Sequence, residues 1–146
     1  MMKVQLRTLH KRRLAATVIF AACGLTGWQL LAQEDPVAER LSVAELMNGL
    51  ITPATNTIWG AYQLQSEAEW QAVANAAITV LAAGELLAQG HADSKRADWQ
   101  TYNNQMLSAA RAVLQAVADK DEEQLSAVGN DLLYPPCESC HQQFQN

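Results

Sequence analysis

From Glu39 onward, apolar side chains recur every three or four positions. That spacing fits one face of an α-helix and defeats a strand, whose faces alternate every two residues. The first stripe is Val43, Leu46/Met47, Leu50, Ala54, Ile58, Ala61 and Leu64, so a helix is expected from Glu39 to about Gln65. Pro53 interrupts it and predicts a kink or a break, because proline lacks a backbone donor and crowds the preceding turn. The second stripe starts after Ser66, with Glu69 three residues on as a capping box, and runs through Trp70, Val73, Ala77, Val80/Leu81, Gly84 and Leu87 to a stop at Gly90. The third opens near Asp93 or Ser94, carries Trp99, Tyr102, Met106, Ala109/Ala110, Val113 and Val117, and ends near Lys120. The fourth begins at Asp121-Glu-Glu, acids suited to a helix N-terminus. It continues through Leu125, Val128 and Leu132 to Cys140 and Phe144, with a break expected at Pro135-Pro136.

Composition agrees with helix: 49% of residues are apolar, much of that Ala and Leu, while Gly and the aromatic residues are sparse. Four helices joined by short turns at 65–67, 90–94 and 119–121 predict an all-α, antiparallel up-down four-helix bundle. The chain is long enough for one such domain, residues 39–146, and too short for two.

The start of the chain reads differently. Lys3, Arg7, Lys11, Arg12 and Arg13 precede an apolar run from Leu14 to Ala32, and the polar Gln33-Glu-Asp-Pro36 follows. This is an export signal or a membrane anchor, residues 1–32, with 33–38 as a linker. The run of roughly nineteen residues is close to the length that crosses a bilayer as a helix, so anchoring and cleavage both remain open. Phe20-Ala-Ala-Cys23 is similar to a weak lipobox, which makes lipidation at Cys23 a third fate; a small apolar residue in a leader helix is the plainer one. With the positive charges held inside, the rest of the chain emerges on the far side of the membrane, in a bacterium the periplasm.

That segregation hides the acidity of the remainder. The net charge is −5, but from Gln33 onward only Arg40, Lys95, Arg96, Arg111 and Lys120 oppose all fifteen acidic residues, a net charge of −10. Nucleic acid needs a basic stripe and none remains, whereas a basic protein partner suits this surface.

Chemistry concentrates at Cys137-Glu-Ser-Cys140-His141. Two thiols three residues apart can each form a thioether to a haem vinyl group while the adjacent imidazole reaches the iron, and on a helix all three share a face. A thioredoxin-like dithiol would want a βαβ setting that this sequence lacks. A zinc site wants four ligands, and only His91 remains beyond these three. A structural disulfide between Cys137 and Cys140 would suit an oxidising compartment but leaves His141 as coincidence. The expected cofactor is therefore haem c, an iron porphyrin attached covalently.

A C-x-x-C-H on the last of four helices resembles the class II c-type cytochromes, the cytochrome c prime family. The likeness extends over Glu45-Leu-Met-Asn-Gly-Leu-Ile-Thr-Pro-Ala54, Ile58-Trp59, Glu69-Trp70 with its Ala-rich stretch, Trp99 and the terminal motif. It implies a haem inside the bundle, with a first-helix residue on the side away from the histidine deciding function. Met47 falls in that part of the helix. As a sixth ligand it would make an electron carrier that docks on a redox partner protein; as one more core methionine it would leave, with Leu46 and Leu50, an open five-coordinate site for NO or CO. Trp59 is the first choice among the tryptophans for a haem contact; Trp70 and Trp99 read as core. The Arg-Gln pair that many family members carry near the propionates is missing. Arg40 and Arg111 are the remaining candidates, though each reads more readily as a solvated surface charge. His91 falls in a turn and reads as a surface histidine. A homodimer is plausible on the same resemblance. No nucleophile-base pair, paired carboxylates or nucleotide loop points to an enzyme.

Overall fold

The computed structural model describes residues 41–145. The leader, the linker, Cys23 and Arg40 lie outside the described residues. Among those described, every regular element is helical and no strand occurs. Four helical runs follow one another: α1 (43–59), α2 (Glu67–Leu87), α3 (Ala97–Asp119) and α4 (122–144).

Local chemistry starts each run. Ser42 caps α1, its hydroxyl accepting from the Glu45 backbone N–H at 3.2 Å while the Glu45 carboxylate accepts from the Ser42 N–H at 2.8 Å. Ser66 and Glu69 form the same reciprocal pair at α2, as the sequence leads one to expect. Asp121 caps α4 by accepting from the Gln124 N–H at 2.9 Å. Only α3 begins without a side-chain cap, at Arg96, three residues later than the stripe suggests. Residues 91–96 form a hydrogen-bonded turn instead, with the Ser94 N–H donating to the His91 carbonyl. Lys120 ends α3 in the left-handed region at φ 52°.

The first helix stops at Trp59, not at Gln65. Gly60 follows, Gln63 adopts φ 53°, and the freed N–H groups of Gln63 and Leu64 donate to the Glu122 carboxylate at 3.2 and 2.6 Å. A carboxylate fifty-eight residues away from Leu64 thus holds the turn that follows the helix, a contact that no local pattern encodes.

The prolines do not break their helices. Each is preceded by a π-helical turn, Met47–Ile51 before Pro53 and Val128–Leu133 before Pro135-Pro136. In these turns the Thr52 N–H donates to the Met47 carbonyl and the Tyr134 N–H to that of Gly129, five residues back. A proline ring collides with the carbonyl four residues behind it and offers no donor; the wider π-turn shifts that carbonyl, and the helix continues.

The core is small-grained. Val73, Ala77, Val80 and Ala83 of α2 meet Ala109, Ala110 and Val113 of α3, and Leu46, Ile58, Leu125 and Leu133 close the interior from α1 and α4. Close packing of such short side chains holds α2 and α3 together along their length, with α1 against α2 and α4 against α3. Two α3 side chains stitch this floor by donating to α2 carbonyls a turn apart: Trp99 Nε1 to Leu87 at 2.9 Å and Asn103 Nδ2 to Gly84 at 2.9 Å.

Candidate cofactor site

A cavity of about 480 Å³ opens between α1 and α4, with α3 and the end of α2 as its floor. From α1 it is lined by Met47, Ile51, Thr55 and Trp59; from the floor by Leu87, Trp99, Asn103 and Met106; from α4 by Tyr134, Pro136, Cys137, Cys140 and His141. Helical spacing explains each set. Met47, Ile51 and Thr55 are four apart, as are Trp99 and Asn103, and Cys137, Cys140 and His141 are separated by three and one.

The two cysteines are free and half-buried. Burial pushes the Cys137 thiol up to about 11, with the neighbouring Cys140 as the lesser cause. Cys140 is also raised, first by burial and then by the Asp98 carboxylate. Both are therefore neutral thiols in a mainly apolar wall. His141, one residue on, is exposed. Met47 and His141 also both line a second cleft of about 340 Å³ that includes Val43 and Phe144.

The α4 terminus that carries the motif is clamped to the start of α3. Phe144 meets the Trp99 ring edge to face at 5.1 Å and lies under the Arg96 guanidinium at 4.7 Å. Gln143 donates to Asp98, and Tyr102 donates to Gln143 at 3.2 Å. Arg96, paired with Asp98 at 2.9 Å, holds that carboxyl down at about 2. At the other end of the cavity Trp59 Nε1 donates to the Gly129 carbonyl at 3.0 Å, tying α1 to the second π-turn.

Of the residues singled out by sequence, Cys137, Cys140, His141, Met47 and Trp59 come together in this one cavity. Leu46 and Leu50, expected to wall the site, are not among the residues that line this cavity. They share a stripe turned by one residue from Met47 and Ile51, so Leu46 is fully buried in the core, Leu50 packs at its edge, and Ile51 takes the wall position. Trp70 is core, but Trp99 is both core and cavity floor. His91 is half-buried in its turn, its Nε2 without a hydrogen-bond partner, and does not reach the cavity. Arg111 is exposed on α3 and also lies outside the lining.

Asn103 escapes the sequence reading. It is 6% exposed, its amide nitrogen is committed to Gly84, and its Oδ1 has no partner. Such an orphaned acceptor in a cavity is the kind of polar group that orients a bound molecule. A polar residue interrupting the Trp99–Met106–Ala110 stripe was the available signal.

These residues fit a covalently held haem. The cavity has the size and apolar lining of a cofactor site, its two thiols and imidazole line it from one helix, and Met47 lines it from another. The βαβ setting of a thioredoxin-like dithiol is missing among the described residues. Comparisons with protein-family models, with curated proteins and with solved structures each give no match for this chain.

Proposed function

We propose that this chain is an exported c-type haem protein that carries electrons, with its described residues forming an antiparallel up-down four-helix bundle of the class II cytochrome kind. The observation that carries the reading is the meeting of Cys137, Cys140, His141 and Met47 in one apolar cavity. Short connections between runs that pack on their sequence neighbours support the bundle. Cys137 and Cys140 would hold haem c through thioethers, His141 would ligate its iron, and Met47 would be the sixth ligand. When bound, the haem supplies a one-electron couple between ferric and ferrous iron.

The chain's own residues do the rest. Ile51, Leu87, Trp99 and Met106 exclude water, which favours the less charged state of a redox centre and sets its potential. Trp59, held to Gly129, covers the cavity's outer end. The Arg96–Asp98–Gln143 clamp fixes the end of α4 and with it the direction of the His141 backbone. The acidic surface suits a basic redox partner, and the leader at 1–32 would deliver the domain to the periplasm, cleaved or as a tether.

The test is the absorption spectrum of protein matured in an exporting, haem-attaching host, oxidised and reduced, with and without CO. A low-spin spectrum indifferent to CO, carrying the weak long-wavelength band of sulfur-ligated ferric haem, is expected. Met47→Ala should abolish that band, turn the iron high-spin and lower the potential. A wild-type spectrum that is high-spin and shifts with CO would instead assign a five-coordinate site for NO or CO. Absence of haem bands would sink both.

A further inference from the structure

The buried polar side chains that line the cavity are engaged with the protein's own backbone. The Thr55 hydroxyl donates to the Ile51 and Thr52 carbonyls at 3.0 and 3.2 Å, and Trp99 Nε1 donates to the Leu87 carbonyl at 2.9 Å. Asn103 Nδ2 donates to the Gly84 carbonyl at 2.9 Å. Among the described residues of the lining, one buried side-chain polar atom is left without a partner, Asn103 Oδ1. The orientation of that amide is fixed, because turning it over would set Oδ1 against the Gly84 carbonyl, acceptor against acceptor.

A buried acceptor without a partner costs free energy that a donor entering the cavity recovers. The surroundings limit what that donor can be. Leu87, Trp99 and Met106 make the rest of the floor apolar, and no lysine or arginine lines the cavity to balance an anion. Glu138, the one acidic residue of the lining, is exposed on α4, so a cation at the floor would be buried without a counter-charge. The donor that fits is therefore neutral. Its place in the cavity is also defined. Trp99 lines both this cavity and the second cleft, each time together with Met47 and His141, and Asn103 follows Trp99 by one turn of α3.

We propose that Asn103 is the recognition residue of a small-ligand subsite on the cavity floor, which takes a neutral molecule with an N–H or O–H donor on a small apolar or aromatic body. The proposal rests on the haem reading and supplies a ligand class for it. Oδ1 accepts from the donor, and Leu87, Trp99 and Met106 offer the body an apolar surface. Selectivity comes from the same acceptor. A molecule of equal shape without the donor leaves Oδ1 unpaired and is rejected, and carbon monoxide or nitric oxide, which have no donor, gain nothing from it.

The experiment titrates the full-length, haem-matured protein carrying Met47→Ala, in which that thioether no longer competes for the iron. The probes are imidazole, 4-methylimidazole and 1-methylimidazole, and the haem absorption spectrum reports binding. The two methylated azoles carry the same added bulk, but 4-methylimidazole keeps the N–H that 1-methylimidazole lacks. Imidazole and 4-methylimidazole are expected to bind about tenfold more tightly than 1-methylimidazole, the worth of one hydrogen bond to a buried acceptor. Adding Asn103→Leu, close in size and without the acceptor, should weaken the two N–H azoles and bring all three within about twofold of one another. A residue that only supports the floor would weaken all three alike when replaced, and that result would overturn the proposal. Equal affinities of the two methylated azoles for protein that keeps Asn103 would also overturn it, leaving solvent as the partner of Oδ1, as would no binding by any of the three. The comparison between azoles stands without Asn103→Leu should that variant not fold. Haem bands on the same samples separate the two readings: haem without discrimination refutes the subsite alone, and absence of haem refutes the haem reading and the subsite with it.

Discussion

Gly84 has no side chain where α2 packs against Leu107 and Met106 of α3. A Cβ there would lie 2.5 Å from Leu107 Cδ2 and 3.2 Å from Met106 Cε, and both of those residues are buried. Gly84→Ala is therefore expected to destabilise the protein by about 1–3 kcal/mol of overpacking, offset in part by roughly 1 kcal/mol of better helix propensity. Thermal unfolding should record the net loss, and the displaced Met106 should narrow the cavity floor. At Trp59 the expected effect has another origin. Trp59→Phe keeps an aromatic ring but removes the indole donor from the Gly129 carbonyl, which still accepts from the Tyr134 N–H, so the loss should be no more than about 1 kcal/mol in thermal unfolding, whereas Gly129→Ala would bring a methyl to 3.2 Å from Trp59 Cδ1 and push the indole away. The cysteines and the histidine were legible at this scale because their spacing alone puts them on one face. Asn103 was not, since a polar residue within an apolar stripe looks like a solvated interruption until the packing that buries it is known.

Elements were legible where their determinants are local. Ser66 and Glu69 announce the start of α2, and Ser66→Ala should lower stability by about 1 kcal/mol, with Ser66→Asp retaining most of it; chemical denaturation of the two variants would measure the difference. The turn at 60–66 was not legible because two of its backbone donors, at Gln63 and Leu64, are satisfied by Glu122, which belongs to another helix. Glu122→Gln should weaken this junction, and hydrogen exchange at the Gln63 and Leu64 amides should report it first. The prolines misled for a physical reason of a different kind. A rule framed for a regular α-helix predicts a kink or break, but a single widened turn removes the collision, and α1 takes that route where Met47 and Ile51 line the cavity and α4 in the turn just before Tyr134, where its own lining begins.

For the whole molecule, helix content follows from periodicity, yet the order of packing and the position of the cavity depend on contacts between distant runs. Acid unfolding tests one such contact. The Arg96 hydrogen bond, ahead of those from Trp99 and Gln143, holds Asp98 at about 2, below the ordinary 3.8. A depressed carboxyl stabilises the fold above 3.8, and that contribution is lost as pH falls from 3.8 through about 2. The circular-dichroism midpoint of Asp98→Asn, compared with wild type across that window, should vary less with pH, and the difference should shrink in high salt because the group is at the surface.

The walls of the cavity have a further consequence for the order in which the molecule assembles. Its two sides come from residues 47–59 and 134–142, joined at the Trp59–Gly129 bond across a separation of 70 positions, whereas the floor is a pair of neighbouring helices stitched over 12 and 19. Closing the shorter loops first costs less chain entropy. The floor can thus form while the rest of the chain is still unfolded, and the cavity is the last part of the described fold to acquire a shape, so whatever it is built to hold meets a finished floor and two walls still free to close around it.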